Sequence, residues 1–128
     1  MSRIVLDASV ILALLNNEPG TEKLTPELLR HAASSTVNLA EVQTKLVIEG
    51  GDPDEAWEDA LGVIQEAVPF TAEQAKIAGD LVSQTKPYGL SLGDRACLAL
   101  GVVLGAPVYT TDRSWKAPKL GVRIHVIR

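Results

Sequence analysis

Ile4-Val5-Leu6-Asp7-Ala8-Ser9-Val10-Ile11-Leu12-Ala13-Leu14-Leu15 is apolar at every position but two. Arg3 to Asp7 predicts a short buried strand, and Ala8 to Leu15 predicts the helix that follows it. Asp7 lies at the joint between them. An ionised carboxylate in such a stretch costs several kcal/mol unless it is paired, or it takes up a proton through a shifted pKa. No lysine or arginine is adjacent to it.

Three more acids interrupt apolar stretches. Glu41 stands in Val37-Asn38-Leu39-Ala40-Glu41-Val42, Asp94 opens Asp94-Arg95-Ala96-Cys97-Leu98-Ala99-Leu100, and Asp112 follows Val108-Tyr109-Thr110-Thr111. A shared cation explains all four together, and a cation held by carboxylates alone is a hard one. Taken singly, each has a plainer reading. Asp7 and Asp112 are also placed as helix N-caps, Asp94 as the partner of Ser91 in a capping box, and Glu41 as a surface residue. Ser9 and Thr110, each two residues from an acid, have hydroxyls able to donate to a carboxylate or to a bound water. The same hydroxyls also suit local backbone bonds.

The chain has 128 residues and reads as one domain spanning 1–128. Apolar residues make up 46% and aromatic residues 4%, so the core is aliphatic, which suits helices laid on a parallel sheet. The single cysteine, Cys97, rules out an internal disulfide, fits a reducing compartment and predicts a buried, inert thiol. The first fifteen residues superficially look like a signal peptide, but Asp7 interrupts the run and no small-residue cleavage site follows. The expected location is cytoplasmic. No apolar run is long enough to span a membrane.

The net charge of −4 argues against a nucleic-acid partner, yet its distribution is uneven. Residues 41–66 hold eight acids and one base. Residues 113–128 hold five bases, Arg113, Lys116, Lys119, Arg123 and Arg128, and no acid. Both runs suit ordinary solvated faces, the commoner meaning of a charge run; the basic one begins directly after Asp112, where a phosphate-bearing substrate would meet it.

Further elements follow from period and punctuation. Asn16 to Gly20 is a turn, Pro26 to Ala33 a polar helical stretch, and Ser35 to Val37 a candidate strand. Asn38 to Ile48 is a helix ended by Gly50-Gly51. Asp52, Pro53 and Glu55 start the next helix, with the stripe Trp57, Ala60, Leu61 and Ile64. Ala67 to Phe70 is a candidate strand. Thr71 and Gln74 open a helix with the stripe Ala75, Ala78, Leu81 and Val82. Ser91 caps a helix from Leu92 to Leu104 that is apolar almost all round and so belongs in the core, where Gly93 and Gly101 permit close approach. Pro107 to Thr110 and Val122 to Ile127 are strands, with a short turn from Asp112 to Trp115 between them. Strands alternating with helices indicate an α/β sandwich with a mainly parallel sheet, in which functional groups gather at the carboxyl ends of strands. Helix N-termini would help to hold the carboxylates ionised.

Four segments in order resemble the PIN-domain family, in particular its VapC-type toxin ribonucleases. They are Ile4-Val5-Leu6-Asp7-Ala8-Ser9, Asn38-Leu39-Ala40-Glu41-Val42, Leu90-Ser91-Leu92-Gly93-Asp94-Arg95-Ala96-Cys97-Leu98-Ala99 and Val108-Tyr109-Thr110-Thr111-Asp112-Arg113-Ser114-Trp115. The resemblance implies a three-layer α/β/α sandwich and Mg²⁺ or Mn²⁺ held by a carboxylate cluster. It also implies hydrolysis of RNA, a homodimer, and a small antitoxin partner. Carried over by position, Asp7, Glu41, Asp94 and Asp112 are the metal-binding and catalytic acids, and Ser9 and Thr110 are polar site positions. Arg95 and Arg113, each directly after an acid, are candidates for substrate phosphate and equally for ordinary ion pairs. Metal chemistry of this kind needs no histidine, and neither His31 nor His125 is placed for catalysis.

The rival readings differ in what they require. A signalling receiver domain needs an acidic pair after the first strand and a lysine after a late one; Asp7 has no acidic neighbour and Thr110-Thr111 leads to an aspartate. A PIN-like binding module without catalysis, or a nuclease of RNA processing outside a toxin–antitoxin pair, remains open at this level.

Overall fold

The computed structural model describes residues 2–128. Its centre is a five-stranded sheet in the order β3-β2-β1-β4-β5, with every neighbouring pair parallel. The strands are β1 (Ile4–Leu6), β2 (Ala32–Ser35), β3 (Glu66–Val68), β4 (Val108–Thr110) and β5 (Ile124–Val126). Among the described residues seven α-helices accompany them: α1 (Ala8–Leu15), α2 (Pro26–Leu29), α3 (Thr36–Ile48), α4 (Pro53–Val63), α5 (Ala72–Asp80), α6 (Val82–Thr85) and α7 (Leu92–Leu104). The arrangement is the expected α/β/α sandwich, and the sheet is wholly parallel.

Side-chain alternation along a strand sends successive residues to opposite faces. Ile4 and Leu6 accordingly join one core with Val10, Ile11, Leu39, Val42 and Ala60, while Val5 joins the other with Cys97, Leu98, Leu100, Val108 and Trp115. Helices α1, α3 and α4 pack on the first face, and α5 and α7 contact one another on the second. Gly101 allows α7 to lie close on β4: a Cβ there would stand 2.5 Å from Val108 Cγ2.

Four expectations need correction. The second strand is Ala32–Ser35, not Ser35 to Val37, and the preceding helix stops at Leu29 rather than Ala33. Ala32, Ala33, Ser34 and Ser35 are all buried, so this central strand carries no polar–apolar alternation to read. The buried stripe near α5 is Gln74, Ala78, Leu81 and Thr85, with Ala75 exposed and Val82 44% exposed. Gln74 enters that stripe by bonding the Pro69 carbonyl through its amide. Helix α7 is not buried all round, since Leu92, Val102 and Val103 lie on an exposed side.

The chain order around the sheet decides where the acids meet. From β1 the chain moves outward through β2 to β3, then returns to the other side of β1 for β4 and β5. The crevice beyond the carboxyl ends of β1 and β4 is therefore the switch point, where parallel sheets bind ligands. Asp7 follows β1, and Thr111 and Asp112 follow β4.

Candidate functional site

Asp7 is 4% exposed and occupies the N-cap position of α1, but its side chain makes no capping hydrogen bond. Both of its side-chain bonds come instead from the hydroxyls singled out in the sequence. Ser9 Oγ donates to Oδ2 at 2.6 Å, and Thr110 Oγ1 donates to the same oxygen at 3.0 Å. The hydroxyls are themselves fixed by the loop after β4, since the Thr111 amide donates to Ser9 Oγ and the Asp112 amide to Thr110 Oγ1. One carboxylate oxygen is thus locked, and Oδ1 has no partner among the described residues.

The same division recurs at each of the other acids. Asn38 Nδ2 donates to Glu41 Oε1 at 2.7 Å and to the Gly93 carbonyl at 3.0 Å. The Ser91 amide donates to Asp94 Oδ2, and Ser91 Oγ accepts from the Asp94 amide, closing the capping box. Asp112 caps the 3₁₀ turn Arg113–Lys116, with Oδ1 accepting from the Ser114 amide and hydroxyl. Local capping therefore accounts for one oxygen each of Asp94 and Asp112. Glu41 Oε2, Asp94 Oδ1 and Asp112 Oδ2 accept no hydrogen bond from the described residues.

Gly93 brings α7 against α3 at this point. A Cβ on Gly93 would lie 2.2 Å from Glu41 Oε2, so the Glu41 carboxylate rests in the notch that the missing side chain leaves. Asn38 is not among the expected site residues, although its i, i+3 spacing to Glu41 on a helix is a usable signal. It is fully buried, and its Oδ1 is unpartnered.

The electrostatics link the four acids. Burial, opposed by the Ser9 bond and reinforced by the charges of Asp94 and Glu41, pushes the Asp7 carboxyl up to about 6. Burial and then the Asp94 charge raise the Glu41 carboxyl against the Asn38 bond. Burial and the Asp112 charge raise the Asp94 carboxyl, against the Ser91 bonds and the charge of Arg95. The expectation that helix N-termini hold these acids ionised gives way to a stronger effect: desolvation and mutual repulsion favour their protonated forms. Cys97 is fully buried nearby, and its thiol is pushed well above the usual range by burial and by Asp7, Asp94 and Glu41.

Among the described residues no three His, Cys, Asp or Glu side chains are grouped tightly enough to hold a metal ion as they stand. The donor chemistry nevertheless fits a hard divalent ion: an all-oxygen set, of excess negative charge, with one unpartnered oxygen on each acid.

The two arginines differ. Arg95 is half-buried and its Nη1 donates to the Ala78 carbonyl at 2.8 Å, bracing α7 against α5. Arg113 is exposed and its Nε donates to the Arg128 carbonyl at 3.2 Å. His125 stacks on Tyr109 with ring centroids 4.7 Å apart.

Solved structures share this architecture. VapBC2 from Rickettsia felis, bound to a DNA fragment from its promoter, superposes with a TM-score of 0.73 at 18% identity, covering 95% of this chain and 96% of that one. DNA-bound VapBC from Salmonella typhimurium gives 0.73 at 16% identity, covering 98% of both chains. VapC20 of Mycobacterium tuberculosis, a sarcin–ricin loop cleaving toxin, gives 0.70 at 22% identity, covering 94% of this chain and 98% of that one. These likenesses establish the fold. No curated protein matches the chain. The PIN domain pattern matches residues 4–119, from β1 past the last of the four acids, and the chain therefore belongs to the PIN-domain family.

Proposed function

We propose that this protein is an endoribonuclease dependent on Mg²⁺ or Mn²⁺, and the toxin of a toxin–antitoxin pair. One observation carries the reading. Asp7 and Asp112 follow β1 and β4 at the switch point of a parallel sheet, Glu41 and Asp94 lie where α3 meets α7 near enough to act on the Asp7 charge, and each acid has one oxygen held by a hydrogen-bond donor and one left over. That the carboxyls of Asp7, Glu41 and Asp94 are raised by burial and then by the charge of a neighbouring acid (Asp94 and Glu41 on Asp7, Asp94 on Glu41, Asp112 on Asp94) supports a common function. The similar VapBC structures, among them a toxin that cleaves the sarcin–ricin loop, support a toxin that acts on RNA with an antitoxin as partner.

In this reading Asp7 Oδ1, Glu41 Oε2 and Asp94 Oδ1 are the oxygens that would hold the ion. When bound, such an ion lowers the pKa of water and neutralises charge on the phosphate. Ser9 and Thr110 orient Asp7 by holding Oδ2, and Asn38 orients Glu41 by holding Oε1. Asp112 Oδ2, on the exposed side of the cluster, orients the attacking water and takes its proton. A new bond forms from the water oxygen to phosphorus and the bond from phosphorus to O3′ breaks, O3′ taking a proton from solvent water, so that a 5′-phosphate and a 3′-hydroxyl are left. Arg113, exposed directly after Asp112, neutralises substrate phosphate. Arg95 acts by bracing the helix that carries Asp94. Two copies of the chain form a cytoplasmic homodimer.

The test is cleavage of a panel of single-stranded and structured RNAs. Activity should vanish in EDTA, return with Mn²⁺ or Mg²⁺, and be lost in Asp94→Asn with the fold intact. Undiminished cleavage by Asp94→Asn, or in EDTA, refutes the reading.

A further inference from the structure

A basic cleft that no part of the chemistry above requires lies along the β5 edge. It has a volume of about 470 Å³ and is lined by Lys116, Lys119 and Arg123 together with Trp115, Leu120 and Ile124. The segment that builds it holds no acid, although the chain as a whole carries −4. Lys116, Lys119 and Arg123 are exposed, and none of them enters an ion pair among the described residues. The neighbouring His125 feels the same excess of positive charge: after burial, Arg123 and Lys116 are what lower its pKa.

The cleft is built rather than accidental. Trp115 and Leu120 anchor its segment in the second core, and Gln84 Nε2 donates to the Lys119 carbonyl from α6. The cations therefore stand on a fixed scaffold, so less conformational freedom is lost when they engage a ligand. Trp115, fully buried, forms part of the cleft wall and holds it rigid. The segment that lines the cleft starts in the 3₁₀ turn that Asp112 caps, which ties the Lys116 end of the cleft to the loop carrying the fourth acid, and it runs from there to Arg123 at the amino end of β5.

We infer that this cleft along the β5 edge binds the phosphate backbone of the RNA strand beyond the scissile bond, with Lys116, Lys119 and Arg123 as its contacts. The inference rests on the nuclease reading for the identity of the ligand. The physical need is plain. A cluster of four carboxylates repels a polyanion, and cations beside it supply the attraction that brings the strand in. Contacts of this kind carry no base information, so the cleft sets affinity and register while cleavage preference is set at the acids.

The experiment replaces Lys116, Lys119 and Arg123 together by glutamine. Cleavage of an unstructured 12-nucleotide RNA should show KM raised about 10-fold or more at 150 mM salt with kcat within twofold, while a trinucleotide substrate is unaffected. Binding of the same 12-mer to Asp94→Asn protein, followed by fluorescence anisotropy against salt, should lose about 2 from its log–log slope when the three cations are removed. Lys116→Arg with Lys119→Arg should retain the wild-type slope, and an unchanged melting temperature of the triple variant confirms that it folds. An unaltered KM and slope in the triple variant overturns the inference. Tighter binding to duplex DNA through the same three residues overturns the assignment to RNA. If no RNA is cut yet RNA binding still depends on the three cations, the nuclease reading falls and the cleft stands.

Discussion

Replacing Asp7 by asparagine separates two effects that one carboxyl combines. The charge is needed for a cation, but it is also the most deeply buried of the four. The amide oxygen of the replacement would still accept from Ser9 and Thr110 without bringing a charge into the core. Cleavage should therefore be abolished, while the melting temperature in EDTA at pH 8 should rise above wild type. Thermal unfolding by circular dichroism checks the second outcome, and a lower melting temperature would contradict the burial account. Ser9→Ala and Asn38→Ala remove a donor that orients an acid. Each should lower kcat by about 10- to 100-fold. The four acids were legible in the sequence because charge inside an apolar run demands a reason. Asn38 was less so: its i, i+3 spacing to Glu41 is the one sequence signal, and an amide in a helix carries no further demand until its two acceptors, Glu41 and the Gly93 carbonyl, are seen together.

At the level of elements, α3 and α7 meet at Gly93, and that contact makes stability and activity move in opposite directions. Gly93→Ala should favour the helix by roughly 0.5–1 kcal/mol. The new methyl would displace the Glu41 carboxylate, a flexible group that can swing away. The expected result is an unchanged or higher melting temperature with cleavage reduced at least tenfold, measured on the same sample. Ser91→Ala opens the capping box of α7 and should cost about 1 kcal/mol in urea unfolding. The Ser91 amide that holds Asp94 Oδ2 is retained in this variant, so activity at 25 °C should stay within a few-fold of wild type. Helices announced by cap chemistry, such as α4 from Asp52-Pro53 and α7 from Ser91, matched the expected starts because capping is local. Strand β2 did not, because its Ala-Ala-Ser-Ser segment owes its conformation to burial between β1 and β3 and to nothing within itself. The almost uniformly apolar α7 misled in a similar way: hydropathy alone does not reveal that Leu92, Val102 and Val103 stay on an exposed side.

For the whole molecule, the linked protonation of the cluster predicts an unusual dependence on pH. Asp7 has a folded pKa of about 6 against about 3.9 unfolded, so the folded state binds the proton more tightly. Its contribution is fully present below about pH 4 and is lost as pH rises through 6, a difference of about 3 kcal/mol. The raised carboxyls of Glu41 and Asp94 act in the same direction. In EDTA the wild-type melting temperature should fall between pH 5 and pH 8, and Asp7→Asn should flatten that fall. Mn²⁺ competes with those protons, so it should raise the melting temperature more at pH 8 than at pH 5. Equal shifts at both pH values would show that the ion does not engage these acids. The convergence itself was legible only as an expectation. Strand alternation indicated a parallel sheet, but the neighbour relation that sets Asp7 beside Thr110 arises from one pairing, of β1 with β4, between residues about 100 apart in the chain.

Cys97 gives this architecture a built-in reporter. The only sulfur nucleophile of the chain lies fully enclosed beneath three acids that suppress its ionised form. A small aromatic disulfide reagent can react with it only when α7 parts from the sheet, so the labelling rate counts openings of the domain. Manganese should slow that reaction about tenfold for every 1.4 kcal/mol it contributes, letting occupancy of the acids be read from a colour change with no RNA present.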